Sequence, residues 1–141
     1  MFRVTPSGAF TILYSFCSEN TCTDGQTPSA ALVQGTSGEF FGTTYSGGTS
    51  NDGTIFSLSM GLSPFIETRP RVGRAGEDIK IIGTDLTGAT SVTFNGTTAA
   101  FHVVSASEII TIVPTSAKTG EVKVVTPSGT LSSDLPFHVL P

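Results

Sequence analysis

The chain has no tryptophan, two tyrosines, two cysteines and two histidines, and its charged residues amount to 13%, against about a quarter in ordinary globular chains. With so little charge, Thr, Ser, Asn and Gly must cover the surface. Four acids face Arg3 alone in residues 1–60, and seven acids face six bases afterwards. A nucleic-acid footprint needs a basic stripe, because neutralising phosphates releases counterions; none is present, so duplex binding is disfavoured. No run of about 18 apolar residues occurs, so no membrane insertion is expected. No ten-residue stretch carries an apolar period of about 3.6, the mark of a helix. The eleven carboxylates lack the spacing of a glycosidase pair, and neither histidine has a motif-borne nucleophile or carboxylate beside it. An enzyme is not expected, and neither is a cofactor.

What is present is turn chemistry. Sixteen Gly and eight Pro punctuate short apolar runs, an all-β composition. Residues 2–5 read as a strand that turns at Pro6-Ser7-Gly8. Residues 9–16 read as a second strand, with Phe10, Ile12, Tyr14 and Phe16 on a core-facing side; Leu13 breaks the alternation. A polar loop with Cys17 and Cys22 spans residues 17–29. Residues 31–34 and 39–45 predict a hairpin, and a glycine-rich turn leads to a strand at 54–59. Phe56 can be laid over Phe2, which implies a repeat of about 50 residues, the range of propellers and arrays. Such a unit leaves a face for its neighbours to cover.

Residues 60–64 form a plausible junction, and Arg69, Arg71 and Arg74 around Pro70 read as a solvated linker. Strands are then predicted at residues 78–84, 91–95, 98–104, 108–113, 121–126 and 131–140. Asn95-Gly96 is the strongest short hairpin signal. Many short strands in about 80 residues with regular turns predict a sandwich. The antibody-type Cys-Trp-Cys core is absent from this half.

The second half resembles the IPT/TIG immunoglobulin-like domain over about residues 64–141. The resemblance rests on Gly83-Thr84-Asp85-Leu86, the run from Ala89 to Gly96, Val113-Pro114, Gly120-Glu121-Val122-Lys123-Val124 and Thr126-Pro127-Ser128-Gly129. The first half, about residues 1–59, is similar to the GloVer-type tandem repeat of bacterial surface proteins. Its marks are Leu13-Tyr14-Ser15-Phe16-Cys17, Cys22-Thr23-Asp24-Gly25, Leu32-Val33-Gln34-Gly35, Phe41-Gly42-Thr43-Thr44 and Gly53-Thr54-Ile55-Phe56. Such repeats normally occur in strings, so one copy suggests an excerpt of a longer polypeptide. No export signal is visible at residues 1–4. The expected architecture is an antiparallel, propeller-blade-like repeat unit at 1–60 followed by an immunoglobulin-like β-sandwich at 61–141.

Candidate sites are few. Cys17 and Cys22 suit a disulfide, since an exported chain meets an oxidising compartment and the count is even. A zinc site would need two more ligands, and the spacing is not the Cys-x-x-Cys of a redox pair. His102 and His138 fall on outward positions of their strands. Asp24-Gly25 and Asn51-Asp52-Gly53 could offer oxygens to calcium, but turn formation explains them more simply. Tyr45 is the one plausible glycan platform, because Tyr14 alternates with core-facing Phe. In the IPT/TIG relatives the inward set of one strand matches Ile109, Thr111 and Val113. That register would turn Ile110 and Ile112 outward as a possible association surface; the opposite register buries them, and both stay open.

These readings converge on a non-enzymatic structural or adhesive module of a bacterial extracellular or cell-surface protein. Its partners would be other protein chains, copies of itself included, met through unpaired strand edges that lead to an oligomer or filament. The alternative is a carbohydrate-binding accessory module.

Overall fold

The computed structural model describes residues 1–141 and is all-β apart from one turn of 3-10 helix at Asn20–Cys22. The chain divides into two units. The first comprises Met1–Gly35 and Glu39–Met60, and the second comprises Thr36–Gly38 and Gly61–Pro141.

In the first unit β1 (Phe2–Val4) and β2 (Phe10–Ile12) form an antiparallel hairpin. Gly8, at φ 85°, turns it back after Pro6, a conformation that glycine reaches without a Cβ clash. A second sheet is built from β3 (Gln26–Pro28), β4 (Val33–Gln34), β5 (Phe40–Ser46) and β6 (Ile55–Leu58). β5 is its centre: β3 and β4 pair with it, and β6 pairs with it in the register Phe40↔Leu58, Gly42↔Phe56. Along β5 the alternation turns Gly42 and Thr44 inward and leaves Phe41, Thr43 and Tyr45 exposed.

No large apolar side chain is buried in this unit; its buried residues are Gly25, Gly42, Thr44 and Gly47. The expectation that Phe10 and Ile12 face a core is overturned: both are exposed. The reason is topological, since β1 and β2 pair only with each other. One row of rings runs through the unit, Tyr14 on Phe16 at 5.1 Å and Phe16 on Phe56 at 4.8 Å.

The second unit is a sandwich. One sheet contains β10 (Ser91–Phe94), β11 (Thr97–Thr98), β14 (Val122–Thr126) and β15 (Gly129–Ser132). The other contains β7 (Glu67–Arg69), β9 (Asp78–Ile82), β12 (Phe101–Ser105) and β13 (Glu108–Ile112). β8 (Val72–Arg74) and β16 (His138–Leu140) pair in parallel. Strict alternation supplies the core. Val92, Phe94, Val122 and Val124 come from the first sheet, and Ile79, Ile81 and Ile109 from the second, joined by Ile66, Leu86, Val113 and Phe137. Phe94 and Phe137 meet edge to face at 5.1 Å. Each such side chain contributes about 1.5–3 kcal/mol by leaving water, so the folding energy of the chain is concentrated here. Asn95 and Gly96, at φ 46° and 85°, close the β10–β11 hairpin with the two left-handed residues that a two-residue turn requires.

Three expectations for the second unit need correction. Residues 98–104 are not one strand, because the chain leaves β11 in one sheet and enters β12 in the other after Ala99 and Ala100. Residues 131–140 are split between β15 and β16, with Pro136 between them; proline cannot donate to a ladder. The arginines around Pro70 are not a solvated linker. Arg69 and Arg74 end the short strands β7 and β8, Arg71 pairs with Asp134 at 3.0 Å, and Arg74 Nε donates to the Pro141 carbonyl at 3.0 Å.

Candidate functional site

Because the first unit buries so little, its apolar residues stand on two open faces. The registers Phe2↔Ile12 and Val4↔Phe10 bring these four side chains to one face of the β1–β2 hairpin, where every one is more than half exposed. Phe2 and Phe10 touch, ring to ring, at 5.0 Å. On the second sheet, pairing of Val33 with Phe41 and of Thr43 with Ile55 collects the outward residues. Val33, Ile55 and Tyr45 are 67%, 83% and 80% exposed. Scattered apolar residues are normal on a surface; here they are gathered by strand pairing into a row.

The loop beside these faces is tied down by Asp24. Its Oδ2 accepts hydrogen bonds from the Tyr14 hydroxyl (2.9 Å), the Ser18 N–H (3.0 Å) and the Ser18 hydroxyl (2.9 Å). Its Oδ1 accepts from the Glu19 N–H at 3.4 Å. Desolvation works to raise its pKa, but the Ser18 N–H, the Tyr14 and Ser18 hydroxyls and the Glu19 N–H together outweigh it and hold the carboxyl at about 2. These donors are the protein's own, so the carboxylate works as a staple for residues 14–24. Asn51 has a similar job, its Oδ1 accepting from the Gly47 N–H at 3.0 Å.

Cys17 and Cys22 are joined in a disulfide across the same loop. Tyr45 stands on the outer face of β5. Tyr14, expected to face a core, is 38% exposed and spends its hydroxyl on Asp24. In the second unit, Ile109, Thr111 and Val113 are buried, Ile110 is half-buried and Ile112 is 44% exposed. Ile110 lies between Lys80 and His102 on the neighbouring strands, and Ile112 lies opposite Asp78. His102 and His138 are both exposed. Ile110 and Ile112 belong to the sandwich; Cys17, Cys22 and Tyr45 belong to the first unit.

Sequence reasoning missed the apolar face formed by Phe2, Val4, Phe10 and Ile12. Its signal was alternation without a partner element, which periodicity alone reads as core.

Comparison with known proteins gives three findings. Residues 66–139 match the family model of the IPT/TIG domain. No curated protein matches the chain. Among solved structures, it is similar to an auxiliary nutrient binding protein from Bacteroides ovatus ATCC 8483, at 24% identity and a TM-score of 0.45, covering 52% of this chain and 20% of that one. It is also similar to SGBP-B from a complex xyloglucan utilization locus in Bacteroides uniformis, at 14% identity and a TM-score of 0.42, covering 77% and 30% respectively. The chain thus spans less than a third of either structure.

Proposed function

From a chain that belongs to the IPT/TIG domain family over more than half its length, we propose a non-enzymatic structural or adhesive module of a bacterial extracellular or cell-surface protein. It works by protein–protein contact. Residues 1–60 are a GloVer-type repeat unit that makes the contact, and residues 61–141 are a stable spacer. The observation that carries this reading is the contrast in burial: the sandwich holds the whole apolar core, while the first unit exposes Phe2, Val4, Phe10, Ile12, Val33 and Ile55. A repeat unit with uncovered faces and unpaired edges gains stability by adding a neighbour. Copies of this chain supply that neighbour, and head-to-tail contacts that do not close produce filaments. Ile110 and Ile112 add a smaller apolar spot on the spacer.

Light scattering over a concentration series, with electron microscopy of any large species, tests the reading. The expected result is mass that grows with concentration and falls to that of a monomer when Val33 and Ile55 are both replaced by Lys. A monomer at every concentration would overturn self-assembly.

One observation favours a second reading, a carbohydrate-binding accessory module: Tyr45 presents a ring that is 80% exposed beside Thr43 on the outer face of β5. An exposed aromatic ring gives a sugar contact area at low entropic cost. Glycan-array binding that disappears in Tyr45→Ala would establish this role; an array without signal removes it.

A further inference from the structure

In an antiparallel ladder the peptide groups of successive residues point to opposite sides of the strand. In β1, the Thr5 N–H donates to the Ala9 carbonyl and the Leu13 N–H to the Met1 carbonyl, both at 3.0 Å. Met1, Arg3 and Thr5 therefore turn their peptide groups toward β2. Those of Phe2 and Val4 point the other way, where β1 has no partner strand.

β6 repeats this local sequence with the opposite side filled. The Thr44 N–H donates to the Thr54 carbonyl at 2.9 Å. With the register Gly42↔Phe56 and Phe40↔Leu58, this turns Thr54, Phe56 and Leu58 toward β5. Ile55 and Ser57 point to a side with no partner, since β6 pairs with β5 alone. Laying Phe56 over Phe2 matches Met1-Phe2-Arg3-Val4-Thr5 with Ile55-Phe56-Ser57-Leu58-Ser59. Under that match, the side left open in β1 is the side that β5 fills in β6. The side left open in β6 is the side that β2 fills in β1. β1 and β6 each hold half of the pairing of one strand type.

We infer that β1 takes the place of β6 against the β5 strand of a second repeat unit of the same kind, in the register that β6 keeps with β5 in this chain. The inference rests on the reading of the first unit as a contact module, and it names the partner segment: Phe40–Thr44 of a neighbouring repeat unit whose own β6 gives way to β1. Phe2, now 62% exposed, takes the place over the neighbour's Gly42 that Phe56 holds within this chain, and Val4 takes the place of Leu58. Selectivity comes from the glycine. A Cβ at Gly42 would stand 2.5 Å from Cζ of Phe56 and 2.8 Å from Cδ2 of Leu32, so a larger residue there forces the ring out of this seat. The composite sheet then runs through the neighbour's β5 to β1 and β2, which brings the apolar hairpin face into a larger sheet.

The experiment duplicates residues 1–54 ahead of the full chain, so that Thr54 of the added copy runs directly into Met1. Amide hydrogen exchange, read by NMR, follows Phe2 and Val4 of the downstream copy. Both amides are expected to exchange at least ~100-fold more slowly than in the single chain, as ladder amides do. A second chain carries Gly42→Val in the added copy only, and there the two amides return to fast exchange. Unchanged exchange at Phe2 and Val4 in the duplicated chain, whether or not the added copy folds, overturns the inference. Slowing that survives Gly42→Val overturns the register and with it β5 as the partner. The mass of the single chain in solution is a separate readout: a strict monomer would sink self-assembly and leave this result standing.

Discussion

The ring of Phe56 lies over Gly42, its antiparallel partner, so closely that a Cβ on the glycine would stand 2.5 Å from Cζ. Phe16 holds the ring from beyond, at a centroid distance of 4.8 Å, which limits its retreat. Leu32 closes the remaining space, 2.8 Å from the same Cβ position. Gly42→Val is therefore expected to destabilise the first unit by about 1–3 kcal/mol, the usual cost of overpacking. Urea unfolding followed by near-ultraviolet circular dichroism, which reads the aromatic row, measures it. A loss below about 0.5 kcal/mol, the ordinary scatter of surface substitutions, would contradict the packing described.

Asp24 makes the first unit sensitive to acid. Its carboxyl is held at about 2 in the folded chain against an ordinary 3.8, so folding favours the ionised form. The sign follows: the stabilisation is complete above about pH 3.8 and is lost as the pH falls toward 2. A carbon-13 carboxyl titration should place Asp24 near 2. In Asp24→Asn the acid-dependent loosening of residues 14–24 across this window should vanish. An Asp24 titration near 3.8 would refute the staple.

Two buried threonines on the second sheet of the sandwich differ in one respect. The Thr111 hydroxyl donates to the Ala100 carbonyl at 2.8 Å, whereas the Thr68 hydroxyl is buried without a partner. An unmade buried hydrogen bond costs about 1–3 kcal/mol, and a made one contributes about 1. Thr68→Val should raise stability by about 1 kcal/mol and Thr111→Val should lower it by about the same. Thermal unfolding of the two variants side by side gives the comparison; equal shifts would show that the hydroxyls do not differ.

The disulfide closes a short loop, so its contribution is modest. Replacing Cys17 and Cys22 together by Ser should cost about 2 kcal/mol in the first unit by loop-closure entropy. The sandwich should be unchanged, since neither cysteine belongs to it. Hydrogen exchange resolved by unit would detect the difference, and equal losses in both units would contradict their separate description.

The strand at 108–113 shows what local pattern cannot decide. Five residues, Ile109 to Val113, contain four large aliphatics and one threonine, so hydropathy favours neither register. The structure buries Ile109, Thr111 and Val113, because β13 is fixed between β9 and β12 by the pairs Ile109↔Ile81 and Ile109↔Val103. Ile109→Ala should accordingly cost about 2–5 kcal/mol and Ile112→Ala less than about 1 kcal/mol, as at half-exposed positions generally. Equal costs, measured by urea unfolding, would argue for the other register.

The sequence by itself determined the all-β class, the Asn95-Gly96 hairpin, the hairpin of β4 with β5, and the alternation that fills the sandwich. Each follows from dihedral preferences and period-two patterning within a few residues. Only the tertiary structure decided the rest. Phe10 and Ile12 alternate as core residues do, yet are exposed, because burial needs a second element and none packs on their face. The arginines around Pro70 look like a linker by composition, yet sit on β7, β8 and the chain between them, where Asp134, 63 residues away along the chain, reaches Arg71. The open edges of β1 and β6 leave no trace in side-chain pattern, because edge pairing is written in the peptide groups, which every sequence shares.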